Sequence, residues 1–196
     1  MTSNATDRSA LSPSAEHRLI AGIFTERVEG VAPDGWGVPT PVPAWTARDV
    51  VGHLIEWLPG FLGFGLGDIP PLAEDPAAAW RAHATAVQAL LDDPQIGRRT
   101  LSDRHLGELP LDRAINDFYT TDVFMHTWDL ARATGQDDRL DPDRCAAILA
   151  GSAAVEEAMR SSGQFGPAVP VATDASVQDR LIGFIGRDPS WRPPAS

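Results

Sequence analysis

At Ser12-Pro13, Asp75-Pro76 and Asp141-Pro142 a short capping side chain stands directly before a proline that leads into a long run of helix formers. A cap oxygen satisfies the first amide groups of a helix, and proline fits its first position because it has no N–H to leave unpaired. Each pair therefore opens a helix. The first is predicted to run from Pro13 to about Val31, with Leu19, Ile20, Ile23, Phe24 and Val31 mostly at helical spacing. The second of the three opens a helix through "AAAWRAHATAVQALL" to about Leu91. The third opens "PDRCAAILAGSAAVEEAMRSS", which ends at Gly163. Two further helices start without this signature. Thr46 and Asp49 form a short capping box before "ARDVVGHLIEWL", which packs Val50, Val51, Leu54 and Leu58 and fades at Pro59. A long helix is predicted from about Leu111 to Thr134, stopped by Gly135 as a left-handed cap.

The connections differ in character. "PDGWGVPTPVPAW" is Pro-rich and reads as extended but tightly constrained, while Asp92 to Pro110 carries turn residues and room for a short strand or two. After Gly163, "FGPAVPVATDAS" reads as extended and a short helix "VQDRLIGFIG" precedes a Pro-rich tail. The expected fold is all-α: a four-helix bundle with long connections and a short extra C-terminal helix. Residues 1–12 are expected to form a flexible leader and 13–192 a single domain, which 196 residues at 43% hydrophobic content can furnish with a core.

Charge and composition narrow the function. A formal net charge of -11 disfavours a nucleic-acid or anionic-membrane partner, since both recruit Lys and Arg. No apolar run is long enough to cross a bilayer, and the polar start "MTSNATDRSALSPS" lacks the regions of a signal peptide, so a cytoplasmic protein is expected. Cys145 is the single cysteine, which rules out an internal disulfide and a cysteine-based metal site. Its Ala-rich helical setting suits a buried small side chain better than a nucleophile.

The predicted helix from Leu111 to Thr134 contains an anomaly. At about 100° per residue, Leu111, Ile115, Phe118, Tyr119, Leu130 and Ala133 share an arc within roughly 60° of Ile115. Asp122, His126 and Asp129 fall in the same arc, whereas Thr121, Phe124, Thr127 and Trp128 fall outside it. Burying a carboxylate without a partner costs several kcal/mol, so these groups must be paired, hydrated or bound. A divalent metal would satisfy them together, because a carboxylate and an imidazole at i and i+4 can converge on one ion. His53, beside the stripe of Val50, Leu54 and Trp57, is the best candidate for a third ligand. Asp129 is then an acceptor that orients His126 or another ligand. The competing reading is a hydrogen-bonded Asp–His pair with no metal. Of the other histidines, His83 borders a Trp80–Val87 stripe and reads as structural, while His17 and His105 read as exposed. Tyr119, one turn before Asp122, could donate into the same pocket or simply pack.

The stretches "PTPVPAWTARDVVGHL" and "DVFMHTWDLARATG" together resemble the metal-binding domain of mycothiol-dependent maleylpyruvate isomerase. More closely, the chain is similar to stand-alone isomerase-like metal-binding proteins of the DinB superfamily, including the tail "FGPAVPVATDASVQDRLIGFIGRDPSW". The resemblance covers about residues 15 to 192. It implies a DinB-like four-helix bundle holding one divalent metal, generally zinc, through His53, Asp122 and His126. It also implies a low-molecular-weight thiol, mycothiol, as cosubstrate, and a small electrophile as substrate of S-transfer or isomerisation. DinB-like bundles often pair, so a homodimer is compatible with it, although no stripe announces an interface. Two departures stand out: the isomerase pattern has Glu where this chain has Asp122, and the chain ends without the isomerase's additional C-terminal domain. The alternative function is a non-catalytic metal-binding regulatory or interaction module.

Overall fold

In a computed structural model the described residues are 11–103, 107–152 and 166–194. The protein is mainly α. Its elements are α1 (Pro13–Glu29), α2 (Ala47–Leu62), α3 (Pro76–Asp92), a hairpin of β1 (Thr100–Asp103) and β2 (Gly107–Pro110), α4 (Leu111–Ala114), α5 (Thr121–Thr134), α6 (Pro142–Ser152) and α7 (Val177–Phe184). The chain divides into two compact units, Met1–Glu29 with Val51–Val123 and Gly30–Val50 with Phe124–Ser196.

The capping chemistry is as the residue types dictate. Asp75 accepts from the Ala78 amide at 2.9 Å, Asp141 from Arg144 at 2.9 Å and Ser12 from Ala15 at 3.2 Å. Asp49 accepts from both the amide and the hydroxyl of Thr46 at 2.7 Å, while its own amide points back at that hydroxyl. The short Asp closes the box because it can take both donors on one oxygen. Gly135 stops α5 at φ +69°, a conformation that penalises any side chain.

In the first unit, α1 packs along α3 and against the segment Ile115–Thr120. Phe24 meets Trp80 edge-on at 4.5 Å, and the Trp80 indole donates to Thr25 at 2.8 Å, so the largest apolar surface is buried with its polar handle satisfied. The buried face of α1 is His17, Ile20, Ala21, Phe24 and Val28. The fold corrects two expectations: Leu19 and Ile23 stand exposed, and His17, read as exposed, is only 1% accessible. The stripe follows the line of contact with α3 rather than the largest side chains. The helix also ends at Glu29 instead of Val31. The strand pair anticipated between Asp92 and Pro110 is present as an antiparallel hairpin, Thr100 opposite Pro110. His105 lies outside the described residues.

The expected helix from Leu111 to Thr134 is continuous, but Ile115–Thr120 is π-helical. Such a segment places more residues in each turn, and so rotates the turns before it relative to the turns after it. A single 100° wheel therefore misassigns part of this helix. Phe118 is only half-buried, while Tyr119 and Thr120 are fully buried. From Val123 to Ala131 every residue is buried, including Phe124, Thr127 and Trp128, which the wheel set outside the core arc. This stretch is buried on all sides. α2 likewise continues through Pro59 to Leu62 instead of fading there.

In the second unit, α6 packs on α7. The extended run before α7 lies directly on it: the Val169 amide donates to the Gly183 carbonyl at 2.9 Å. A Cβ on Gly183 would come within 2.6 Å of the Val169 carbonyl oxygen, so only glycine permits that approach. The Pro-rich connection is held by a bridge between Pro39 and Thr46 and by Thr40, whose hydroxyl donates towards Trp45 and Val42. Cys145 is fully buried, and burial pushes its thiol up to about 11, which suits packing and not nucleophilic attack. The second half of the helix expected through Gly163 lies outside the described residues. No helix among the described residues is long and apolar enough to cross a membrane.

Candidate metal centre

His53 sits in the second turn of α2, and its Nε2 is 3.0 Å from Asp122 Oδ2. One turn further along α2, the Trp57 indole donates to the same oxygen at 3.0 Å. The i, i+4 spacing of His53 and Trp57 puts both donors on one face, so α2 presents a matched pair to a single carboxylate. Asp122 comes just after the π-helical segment, inside the continuous helix that runs into α5. The His53 and Asp122 side chains are 31% and 20% accessible, so the pair is sheltered yet open to solvent. By sequence Trp57 is only a stripe residue; its spacing from His53 is the signal that could have marked it.

His126 follows Asp122 by one turn of α5 and is itself buried. Its Nδ1 is 2.9 Å from Asp129 Oδ2. An ionised carboxylate can only accept, so Nδ1 carries the hydrogen, and in the neutral ring Nε2 is then the nitrogen that a metal would take. The Trp45 ring lies against the imidazole, 5.7 Å between centroids and 22° between planes, which limits its rotation. Asp129 is fully buried, and Arg187 reaches it with both Nε and Nη2, at 3.4 and 3.3 Å. Burial by itself would raise the Asp129 pKa. The hydrogen bond from His126 and the charge of Arg187 outweigh it and hold the carboxyl below its ordinary value. Sequence does not single out Arg187, since it stands in the irregular tail beyond α7 where there is no periodicity. Arg132, three residues beyond Asp129 on α5, pairs with Asp138 at 2.7 Å.

His53 and Asp122 meet within the first unit, and His126 follows Asp122 one turn further along α5. Two imidazole nitrogens and one carboxylate oxygen, with one imidazole tautomer held by a buried carboxylate, form a donor set that fits a divalent zinc ion. Asp129, bonded to Nδ1, faces away from the ligating edge of His126 and so supports the imidazole from behind. Tyr119 is fully buried among aromatic rings, 5.8 Å from the Trp57 ring, and burial, with the Asp122 charge adding to it, raises its phenol well above the ordinary value. His83 is buried on α3.

No family model and no solved structure matches the chain. Two proteins of Mycobacterium tuberculosis do: "Uncharacterized protein Rv0738" of strain H37Rv and "Uncharacterized protein MT0763" of strain CDC 1551. Each is 31% identical over 180 residues, covering 90% of this chain and 98% of the relative.

Proposed function

The chain belongs to one family with these two mycobacterial proteins, and we propose that it is a divalent-metal-binding enzyme of DinB-like four-helix architecture. The metal is zinc, held by His53, Asp122 and His126. The reaction is transfer of the sulfur of a low-molecular-weight thiol, mycothiol, to a small electrophile, or an isomerisation that passes through reversible addition of that thiol. The observation that carries this reading is the His53 imidazole set against Asp122, with His126 one turn beyond Asp122 on the same helix.

When bound, zinc would act as a Lewis acid that lowers the pKa of a thiol presented to it. The chain's own residues do the rest. Asp129 holds the Nδ1 proton of His126 and so aims its Nε2 lone pair. Trp57 keeps Asp122 Oδ2 directed towards His53, and the Trp45 ring lies against the His126 imidazole. Three protein ligands leave a coordination position for the thiol, as a catalytic zinc site requires. Cys145 is too deeply buried to supply the sulfur itself, which is consistent with an imported thiol. A cytoplasmic setting, where such thiols are kept reduced, fits the single unpaired cysteine.

The test is metal analysis of protein purified without a metal-affinity tag, joined to anomalous diffraction at the zinc edge and calorimetric titration with mycothiol. One zinc per chain on these three residues and saturable thiol binding are expected. Zinc without thiol binding would replace the enzyme by a regulatory or interaction module, and protein free of metal would overturn the centre itself.

A further inference from the structure

Three buried polar side chains in the first unit have no role in the metal centre. His17 on α1, His83 on α3 and Tyr119 in the π-helical segment are each no more than 1% accessible. His17 Nε2, both nitrogens of His83 and the Tyr119 hydroxyl have no hydrogen-bond partner among the described residues. The Tyr119 ring lies 6.0 Å from that of His17 and 5.7 Å from that of His83, measured between centroids. Tyr119 is thus the ring neighbour of both histidines. Buried polar groups are nearly always satisfied, so a cluster of four orphans calls for a partner.

The hydrogen-bonding sense of the cluster is set by its surroundings. Gln88 Nε2 donates to the Ser14 carbonyl, the Ser14 hydroxyl and Asp92 Oδ1 at 3.2, 3.0 and 2.8 Å. The amide is thereby oriented with Oε1 towards His17 Nδ1, 2.9 Å away. That oxygen only accepts, so Nδ1 bears the hydrogen and Nε2 offers a lone pair. Arg18 secures the far end by gripping Asp92 through both carboxylate oxygens, at 2.9 and 2.7 Å. Burial keeps both imidazoles neutral at ordinary pH, with His83 lowered to about 4. The cluster therefore presents an acceptor at His17, one donor and one acceptor at His83, and a hydroxyl that can do either. A carboxylate would find no donor at His17.

We propose that His17, His83 and Tyr119 form a second binding site, for a small neutral group that both donates and accepts hydrogen bonds, either a water molecule or an alcohol hydroxyl. This goes beyond the metal reading and does not depend on it. His17 also lines a groove of about 460 Å³ between α1 and α3, with Thr25, Thr85 and Gln88.

The test uses the full chain as purified. High-resolution diffraction should show a density peak about 2.7–3.2 Å from His17 Nε2. Nitrogen-15 spectra of the imidazoles should show that nitrogen accepting a hydrogen bond. Titration with methanol separates the sources: a saturable shift confined to His17 and His83 means that a hydroxyl enters, and no shift means water alone. His83→Leu should lower Tm by a few degrees by leaving the guest short of partners, and Tyr119→Phe, which keeps the ring, should do the same. Absence of the peak with an unbonded Nε2 signal, an anomalous metal peak at the site, or a rise in Tm for both variants would overturn the proposal.

Discussion

Asp129 shows how much one buried carboxylate can organise. It accepts from His126 and from Arg187, and with no accessible surface it depends on both. His126→Ala should abolish stoichiometric zinc binding, because it deletes a ligand. Asp129→Asn keeps an oxygen for the Nδ1 proton but loses the charge, and should weaken binding by about 10- to 100-fold; competition against a chromophoric chelator measures both. Unchanged metal content in the His126 variant would remove the site. Arg187→Met fills similar volume but takes away the cation facing Asp129. It should cost about 2–3 kcal/mol in urea denaturation, since one partner of a buried charge pair is missing while His126 remains. Asp122 and His126 were legible as residues because a helical period of four places them on one face. Arg187 was not, because a residue in an irregular tail carries no periodicity, and only the chain's path brings it to Asp129.

Among the elements, helix starts were the most readable feature, since a cap and a proline act on the amides next to them in sequence. Ser12, Thr46, Asp75 and Asp141 all cap as their positions imply. The π-helical turn at Ile115–Thr120 was not readable. It sets the facing of Tyr119, and it arises from what that segment must pack against and not from a residue type. The contact of the extended run at Val169 with α7 has the same origin. Gly183→Ala forces a Cβ into the Val169 carbonyl, and should cost about 1–3 kcal/mol through overpacking. Hydrogen exchange checks the cause: the Val169 amide, bonded to Gly183, should lose protection along with the fall in stability.

Across the folded chain, the buried histidines couple folding to pH. His83 is lowered from 6.5 to about 4 by burial, with the His17 charge adding to it, and His17 is shifted in the same direction, chiefly by burial. Between those values the unfolded chain binds the proton and the folded chain does not, so stability rises with pH across this window. Acidification from about pH 6.5 to 4 should remove about 3 kcal/mol through His83 alone, and the loss from this group should stop below pH 4, where both states are protonated. Denaturation curves at a series of pH values should show this slope, and His83→Leu should flatten it.

Residue order alone was enough for the mainly helical class, for where most helices begin and for where Gly135 halts one, because caps, prolines and left-handed glycines act within a few residues of themselves. It was also enough to put Asp122 and His126 on one helical face. Which faces are buried was settled only by the folded contacts: they expose Leu19 and Ile23, hide His17, and close Phe124, Thr127 and Trp128 from solvent. The same contacts bring Trp57 to Asp122 and Arg187 to Asp129. Burial and pairing are properties of contacts between distant segments, and a local pattern states only which contacts a residue could make.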